Sequence, residues 1–302
     1  MALPAGVRLH HPAGSDEEAV AALVLVTACQ VADTGRSDRE LADVLEDWER
    51  PGVDLAHDAW LAEDSSGETI AYAFLSPPDA EVRVHPRARG RGLGAHLLGL
   101  VEARAGALGA RELRQRVAAG NRVAERQLEL AGYAPVWHAW RLERPLDVAP
   151  EPPSWPSGVT PAALDDEGGV AEVLALLERA GAVGPDGEPL ALDLFHAEHL
   201  AEEHLDPGLC VLACRDRQTV GVTVCESWND ADGIVAQLAV AAGEQPESVG
   251  RALLLEAFTR MRERGFETAV AHVGASGPEL PEPYASVGLR PAWQQTTWRK
   301  PL

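Results

Sequence analysis

An internal repeat constrains the fold of this chain more than any other feature of the sequence. Shifting the chain by 156 residues (250 − 94) aligns its second half with its first half without a gap. The alignment superposes strand residues, the apolar start of a helix, glycines at helix ends and the ends of both copies, in the pairs Val84/Val240, Gly94/Gly250, Leu97-Leu98/Leu253-Leu254, Gly109/Gly265, Gly132/Gly288, Pro135/Pro291, Trp137/Trp293 and Pro145-Leu146/Pro301-Leu302. Chance does not align so many features at one offset, so we infer that one fold is used twice.

A proline-rich segment at residues 147–158 separates the two copies. Proline lacks a backbone donor and has a fixed φ, so such a segment cannot sustain a helix or a central strand and suits a semi-rigid linker. We therefore expect one domain at residues 1–146 and another at residues 159–302. A length of 302 residues with 46% hydrophobic composition is ample for two cores.

The pattern of apolar residues and helix caps predicts the elements of the first copy. Ser15 and Glu18 form a capping box that starts a helix, and residues 59–63 and 69–75 alternate as two strands of a hairpin. The predicted order is strand, two helices, three strands, helix, strand, helix, strand. The same order of predicted elements begins again near Val159, after the linker.

The most informative local stretch is a glycine-rich turn between a strand at residues 81–84 and an apolar helix. Gly90, Gly92 and Gly94 have no Cβ, so backbone N–H groups can converge on an anion at the positive end of the helix. The turn lacks the Gly-Lys-Ser/Thr ending of a P-loop, and its spacing departs from G-x-G-x-x-G. Nucleoside triphosphates and dinucleotides are therefore disfavoured, and either a phosphate cradle or a solvated turn fits the stretch alone.

Two motifs together give the first copy a family resemblance. Val84-x-Pro-x-x-Arg-Gly-x-Gly-x-Gly94, followed by Asn121-x-x-Ala-x-x-x-Leu-x-x-x-Gly-Tyr133, resembles the GNAT acetyltransferases. The resemblance implies an α/β (α+β) fold with a mixed, mostly antiparallel sheet flanked by helices. In that family the sheet splays open at its fourth strand, where acetyl-CoA lies and gives its acetyl group to an amine. We therefore expect two GNAT-like domains in tandem that acetylate a primary amine of a small molecule.

The resemblance also implies the cofactor-binding residues. The CoA pyrophosphate is expected on the backbone N–H groups of the loop, the pantetheine beside the preceding strand, and a side-chain contact at the start of the next helix. These assignments fall on Val82 and Val84 of the strand, on Arg89, Gly90, Arg91, Gly92, Leu93, Gly94 and Ala95 of the loop, and on Asn121.

Two residues are candidates for acid–base work. The acceptor ammonium must lose a proton before it attacks the thioester, and Glu81 at the start of the fourth strand is the candidate base, with an exposed strand-edge glutamate as the alternative. Many family members carry a tyrosine four residues before the closing glycine, where it protonates the leaving thiolate. Tyr284 stands there before Gly288, whereas the first copy has Leu128. Tyr284 is therefore either the general acid or a core residue.

The second copy departs from the family pattern at its own loop. Gly90, Gly92 and Asn121 are replaced at the shifted positions, and acidic residues surround the loop; the second copy has Gln245, Pro246, Ser248 and Gly277, with Glu244 and Glu247 beside them. Proline removes an N–H donor and fixes φ, and carboxylates repel phosphate. We expect the second domain to bind CoA weakly or not at all.

Composition bounds the partners. A net charge of −21 argues against nucleic acid and anionic membranes, and it is consistent either with a cationic small-molecule acceptor or simply with solubility. Acidic residues of the first two helices, Asp33 and Asp47 among them, are expected on a solvated face, with a cationic pocket as the alternative. No apolar run is long enough to span a membrane, and no signal pattern is visible, which favours a cytoplasmic protein.

The sequence predicts no metal site. Cys29, Cys210, Cys214 and Cys225 read as buried thiols, since no second pair of ligands has zinc-site spacing. The cluster His196, Glu198, His199, Glu202, Glu203, His204 matches neither H-E-x-x-H nor H-x-x-E-H and is expected to be a polar helix face.

Two alternatives to a first-domain acetyltransferase stay open at this level. The tandem layout is similar to that of mycothiol synthases, in which the C-terminal repeat is catalytic. A CoA-binding or scaffold protein without turnover is the other alternative. The acceptor and the oligomeric state cannot be read from the residues, because the resemblance fixes the donor and leaves the acceptor pocket free to vary.

Overall fold

The two copies of the repeat form their strands in the same order, but they exchange their last strands. The computed structural model describes residues 3–37, 39–164, 166–183, 187–200, 205–227 and 229–302. The chain divides into two compact units, one made of Met1–Val136 with Gln294–Leu302 and the other of Trp137–Trp293. These two units are called the first unit and the second unit below.

The elements of the first copy follow the predicted order, with one short additional helix before the hairpin. They are β1 (Arg8–His10), α1 (Asp16–Thr34), α2 (Leu41–Glu49), α3 (Leu55–Asp58), β2 (Ala59–Glu63), β3 (Thr69–Ser76), β4 (Asp79–Val84), a 3-10 turn (Pro86–Ala88), α4 (Leu93–Ala107), β5 (Glu112–Ala118), α5 (Arg122–Leu130) and β6 (Ala134–Pro145). The capping box of α1 forms as predicted between Ser15 and Glu18.

The second copy repeats the order of the strands, with three α-helices in its described residues against five in the first copy. Its elements are β7 (Val159–Ala163), α6 (Asp166–Ala180), α7 (Leu192–Phe195) with a π-helical turn (His196–Leu200), β8 (Val211–Arg215), β9 (Gln218–Ser227), β10 (Asp232–Val240), α8 (Pro246–Arg264), β11 (Thr268–Ala275), a 3-10 turn (Ala285–Val287) and β12 (Arg290–Pro301). The counterpart of α5 is absent from this described stretch because Pro278, Pro281 and Pro283 interrupt it.

The strands of each unit pair in the same way. In the first unit the order is β1-β2-β3-β4-β5-β12, antiparallel except for the parallel pair β4–β5. In the second unit it is β7-β8-β9-β10-β11-β6, again with one parallel pair, β10–β11. The expectation of a mixed, mostly antiparallel sheet flanked by helices is confirmed in both units.

The exchanged strands change the domain boundaries. Strand β6 belongs to the first copy but pairs with β11 of the second, and β12 of the second copy pairs with β5 of the first. The compact units therefore break after residues 136 and 293 rather than at the linker. Residues 147–158 contain no helix or strand, but the predicted domains 1–146 and 159–302 delimit the copies of the repeat, not the packed units.

Both faces of the first unit's sheet are buried. Because side chains alternate along a strand, Trp60 and Ala62 of β2 pack with α4 on one face, and Leu61 packs with α1 and α2 on the other. The second unit has one continuous core, in which Phe258 of α8 is fully buried. Within the described residues, no helix combines the length and the apolar character that crossing a membrane requires.

Candidate active site

A cleft opens in the first unit where its two parallel strands separate. The described pairing of β4 with β5 is a single residue pair, Asp79 with Arg114, supported by a 2.8 Å hydrogen bond from Arg114 N to Pro78 O. Beyond this point the strands diverge, and a cleft of about 530 Å³ lies among β4, β5, α4 and α5. The splayed fourth strand expected from the resemblance is therefore present, with its open side bordering the cleft.

The edge of β4 presents to this cleft backbone groups that do not pair with β3; of these, Val84 O accepts bonds from Arg89 Nε at 3.1 Å and Cys29 Sγ at 3.3 Å. His85 N donates to Ile70 O on β3 at 2.9 Å, so every second residue of β4 before His85 also bonds to β3. By this alternation the N–H and C=O groups of Val82 and Val84 face away from β3. Both residues line the cleft. An extended ligand can therefore add to β4 as a further strand would.

The glycine-rich loop closes one end of the cleft. Gly90 (φ 77°) and Gly92 (φ 84°) both adopt the left-handed conformation that favours glycine. Gly92 is the N-cap of α4, and the helical bonds begin where His96 N donates to Gly92 O at 3.1 Å. The N–H groups of the three residues between them have no helical acceptor, so they form an anion-binding helix N-terminus.

The predicted loop residues take part in different ways. Arg89, Gly90, Gly92, Gly94 and Ala95 line the cleft. The side chain of Leu93 is buried in the core, so this residue can offer only its backbone N–H, and Arg91 is exposed to solvent.

A buried aspartate holds the loop in place. The Asp33 side chain is 7% exposed and binds Arg89 through two bonds, Nη1 to Oδ1 at 2.6 Å and Nη2 to Oδ2 at 3.0 Å. Arg89 Nε also donates to Val84 O at 3.1 Å. Burial alone would lower the pKa of Arg89, but the Asp33 carboxylate outweighs it and raises that pKa. The arginine therefore ties α1, β4 and the loop together and stays charged.

Asn121 joins the same network. Its Nδ2 donates to Asp33 Oδ2 at 2.9 Å, and its Oδ1 accepts a bond from Ala124 N at 3.2 Å as the N-cap of α5. Asp33 thus connects both motifs of the resemblance. The sequence predicted Asp33 on a solvated face or in a cationic pocket; instead its side chain is 7% exposed and lines the cleft, where it balances Arg89. Asp33 lies 15 residues (33 − 18) after the nearest other acid of α1, Glu18, so no spacing pattern in the sequence indicated this role.

Glu81 lies on the other face of β4. Its Oε1 accepts a 2.7 Å hydrogen bond from Arg83 Nε, and both side chains are about one-fifth exposed. They border a second cavity of about 210 Å³ on the α1 and α2 side of the sheet. Arg83 borders both cavities, so β4 separates the cleft from a smaller polar cavity that contains Glu81.

This polar cavity carries charges of both signs. Its charged residues are four arginines and three acids: Arg39, Arg50, Arg83, Arg116, Asp47, Asp79 and Glu81. Asp47 is buried and paired with Arg39 and, at 2.7 Å, with Arg50. Asp47 is therefore not on a solvated face either.

The counterpart of the loop in the second unit is helical. Helix α8 starts at Pro246, three residues earlier than α4 after the 156-residue shift. Val249 N, which corresponds to Leu93 N, donates to Gln245 O at 2.9 Å. A Cβ on Gly250 would meet Pro283 Cγ at 2.7 Å, so Pro283 packs directly on the helix start. The N–H group that is open in the first unit is therefore used inside a helix in the second.

Tyr284 belongs to the second unit, whereas the loop Arg89–Ala95 belongs to the first. Its side chain is partly buried against the second core, and burial raises its pKa, so it keeps its proton at neutral pH. It precedes a 3-10 turn instead of standing within a counterpart of α5.

The cysteines and the His/Glu cluster considered as metal ligands form no metal site within the described residues. No group of three or more His, Cys, Asp and Glu side chains there is arranged to hold an ion. His199 Nδ1 lies 2.6 Å from Glu226 Oε1, and Cys210 and Cys225 are buried free thiols. Glu202, Glu203, His204 and the side chain of Glu198 lie outside the described part of the chain.

The sequence of this chain is similar to those of known proteins. Residues 26–133 and 175–279 each match the acetyltransferase (GNAT) family. A mycothiol acetyltransferase of Thermobispora bispora is 31% identical over 239 residues, which are 74% of this chain and 77% of that protein. A mycothiol acetyltransferase of Streptomyces avermitilis is 30% identical over 74% of each chain.

Solved structures agree over nearly the whole length. A GCN5-related N-acetyltransferase from Sphaerobacter thermophilus superposes with a TM-score of 0.77 at 27% identity, covering 99% of this chain and 97% of that one. A tandem GNAT protein of the clavulanic acid biosynthesis pathway shares the fold, with a TM-score of 0.62 at 16% identity and 98% coverage of both chains. The chain belongs to the GNAT acetyltransferase family, with two copies of the domain in tandem, and it is an acetyl-CoA-dependent N-acetyltransferase.

Proposed function

We propose that the first unit binds acetyl-CoA and transfers its acetyl group to a primary amine of a small molecule. The single observation that carries this proposal is the difference between the two helix starts. In the first unit the N–H groups of Leu93, Gly94 and Ala95 have no helical acceptor, whereas the corresponding N–H of Val249 is bonded to Gln245 O. A pyrophosphate at a helix N-terminus needs such open donors.

The proposed arrangement places each part of the donor against a described surface. The pyrophosphate lies on the loop from Arg89 to Ala95, with Asn121 contributing from α5. The pantetheine lies beside Val82 and Val84. The N–H groups of both residues and the C=O group of Val82 face away from β3, while the C=O group of Val84 accepts from Arg89 Nε. A backbone N–H of β4 stabilises the oxyanion that forms when the amine attacks the thioester carbon.

The acceptor approaches from the polar cavity on the opposite face of β4. There Glu81, or a water molecule bound to it, takes the proton that the attacking nitrogen releases. Four arginines against three acids suit an amine that also carries an anionic or hydrogen-bonding group. The arginines of the cavity do not favour a polycationic acceptor. The net charge suggested a cationic acceptor, and we restrict that expectation to amines that also carry an anionic or hydrogen-bonding group.

A second candidate acceptor comes from the relatives. The curated proteins with 31% and 30% identity are named mycothiol acetyltransferases, which favours the amine precursor of mycothiol. The resemblance to mycothiol synthases implies catalysis by the C-terminal repeat. In this chain, however, helix α8 begins at Pro246. This early helix start favours the first unit as the acetyl-CoA site for the mycothiol precursor as well.

Calorimetry with CoA tests the donor site. Gly92→Val forces a β-branched residue into φ 84°, and we expect a loss of CoA affinity of at least about 100-fold, because the loop donors no longer converge. The matched change at the shifted position, Ser248→Val, lies in the first turn of α8 and should leave affinity within about twofold. Equal losses in both variants would refute the assignment to the first unit.

Turnover tests the acceptor. Release of CoA thiol from acetyl-CoA is measured with amino acids, amino sugar phosphates, polyamines, aminoglycosides and the mycothiol precursor. We expect amines with an anionic or polyhydroxylated body to outpace polyamines. Faster turnover of polyamines would contradict the proposed acceptor class, but it would not contradict the proposed acetyl-CoA site in the first unit.

A further inference from the structure

The floor of the first unit's cleft contains four buried polar atoms without hydrogen-bond partners. Among the described residues these include Glu102 Oε1 of α4, Gln115 Nε2 of β5, Tyr133 Oη and Trp298 Nε1 of β12. Gln115, Tyr133 and Trp298 are each at most 6% exposed, and Glu102 and Gln115 border the cleft itself. We call these four residues the polar floor.

The polar floor is one connected group. Gln115 and Trp298 are directly opposed in the register of β5 and β12, so their side chains share a face of the sheet. The Tyr133 hydroxyl lies beside Glu102 and Gln115 but has no hydrogen bond of normal geometry with either. Lys300 Nζ lies 2.9 Å from Glu102 Oε2 and 5.6 Å from the centre of the Tyr133 ring.

The second unit fills the same positions with apolar side chains. After the 156-residue shift the counterparts of Glu102, Gln115, Tyr133 and Trp298 are Phe258, Ala271, Leu289 and Leu142, all fully buried. The register is kept as well, since Ala271 opposes Leu142. The fold therefore does not require polar groups there.

Unpartnered buried polar groups cost folding free energy, and apolar residues of similar shape would avoid that cost. The chain retains them in the unit with the open loop and lacks them in the unit where the loop has become helical. The polar floor and the open loop occur in the same unit. Functional sites commonly retain groups that reduce stability, so this co-occurrence links the polar floor to chemistry in the cleft.

The chemistry that needs them is departure of the thiolate. Acyl transfer breaks the thioester C–S bond, and the sulfur must gain a proton. The position that the family resemblance gives to a proton-donating tyrosine is Leu128 here, and Leu128 lines the cleft. Tyr133 N donates to Leu128 O at 3.0 Å, so the polar floor begins one turn away from that position.

We propose that the polar floor supplies the proton to the departing CoA thiolate, through one water molecule bound between its side chains. This inference rests on the proposed function, namely acetyl-CoA in the first unit's cleft. A water there accepts one bond from the Tyr133 hydroxyl and one from Gln115 Nε2 or Trp298 Nε1, and it has two protons to donate, which meets the two to four polar partners a buried water needs. Glu102 Oε1 accepts one of these protons as a hydrogen bond, and the other faces the cleft.

The step balances as follows in atoms and protons. The amine nitrogen forms a C–N bond to the thioester carbon and releases one proton on the acceptor side. The C–S bond breaks with its electron pair on sulfur, and sulfur takes a proton from the water. The Tyr133 hydroxyl returns a proton to that water, and solvent replenishes the hydroxyl past Lys300 and Glu102, whose side chains are 25% and 22% exposed.

Tyr133→Phe, which removes only the hydroxyl, tests the proposal. We expect kcat to fall about 100-fold, the usual scale for a lost proton donor, with KM for acetyl-CoA and CoA affinity unchanged. The Tm should stay the same or rise, since an unpartnered buried hydroxyl is gone. Adding Leu128→Tyr to Tyr133→Phe restores the family's donor position and should raise kcat at least tenfold.

Thr223→Val is the matched control, because it removes a buried hydroxyl without a partner from the second unit and should leave kcat unchanged. A Tyr133→Phe enzyme with kcat within twofold of wild type would overturn the proposal. So would a loss of kcat that comes with a lower Tm and no rescue by Leu128→Tyr. If wild-type protein does not bind CoA, the proposed function itself fails; if it binds CoA and the variants turn over normally, only the polar floor is wrong.

Discussion

The two helix starts at equivalent positions, Leu93 in α4 and Val249 in α8, show how few changes decide which backbone N–H groups one fold leaves open. In the first unit two left-handed glycines delay the helix, so three N–H groups stay open. In the second, Pro246 begins the helix three residues earlier and Pro283 packs on Gly250. Helix formation therefore competes directly with anion binding for the same backbone donors.

The comparison extends to the layer beneath each helix. The first unit has buried polar side chains where the second has Phe258, Ala271, Leu289 and Leu142. Apolar side chains at these positions carry no cost of unpartnered polar groups, whereas the buried polar atoms of the first unit reduce its stability. The second unit is therefore expected to be the more stable of the two.

The largest expected effect comes from removing the exchanged strand. A chain that ends at Trp293 lacks residues 294–302, which pair with β5 of the first unit. We expect CoA binding to be lost, because β5 becomes an unpaired edge and Trp298 leaves the core. Calorimetry measures the loss of CoA binding, and hydrogen exchange measures the loss of protection in β5.

A core truncation in the other exchanged strand is the control for that experiment. Leu142→Ala should cost about 2–5 kcal/mol in the second unit, where Leu142 is fully buried, without changing CoA affinity. If the shortened chain instead kept its CoA affinity and lost protection from exchange in the second unit, the strand exchange would be contradicted.

A smaller effect is expected from the aspartate that fixes the loop. Asp33→Ala leaves Arg89 and Asn121 without their common partner, and we expect CoA affinity to fall about tenfold, equivalent to about 1.4 kcal/mol. Calorimetry measures the loss. Glu151→Ala breaks an exposed ion pair with Arg251 in the second unit and serves as the control. A similar affinity for both variants would show that Asp33 does not position the loop.

The smallest effect is a pH dependence. Burial, with the nearby Glu102 carboxylate, raises the pKa of Tyr133. The native state therefore holds a proton that the unfolded state releases above pH about 10, so the stability of the first unit is fully present below that pH and falls as pH rises. Thermal unfolding between pH 8 and 11 should show a shallower decline for Tyr133→Phe. Identical declines would argue against a buried, neutral Tyr133.

Much of the first unit's cleft could be predicted from the residues alone. Gly90 and Gly92 sit at φ angles that glycine favours, and Asn121 caps α5 as its motif suggested. Glu81 borders the polar cavity, and its role as base stays a prediction, as does that of Tyr284. Asp33 was missed because a buried ion pair between distant segments leaves no periodic trace in the sequence.

The composition of the polar floor is partly visible in the sequence. The 156-residue shift that revealed the repeat also pairs Glu102 with Phe258 and Gln115 with Ala271, and polar-for-apolar pairs at core positions are unusual. Their closeness to one another could not have been found in this way, because it depends on the pairing of β5 with β12.

The sequence by itself determined that two copies of one fold exist, and that only one of them has a glycine-rich loop able to bind an anion. Those properties are local, because φ preferences, caps and hydrophobic alternation act within a few residues. Tertiary structure alone decided that the copies exchange their last strands. Strands β6 and β12 have the same register toward β11 and β5, so register does not distinguish the two partners, and only the folded chain selects between them.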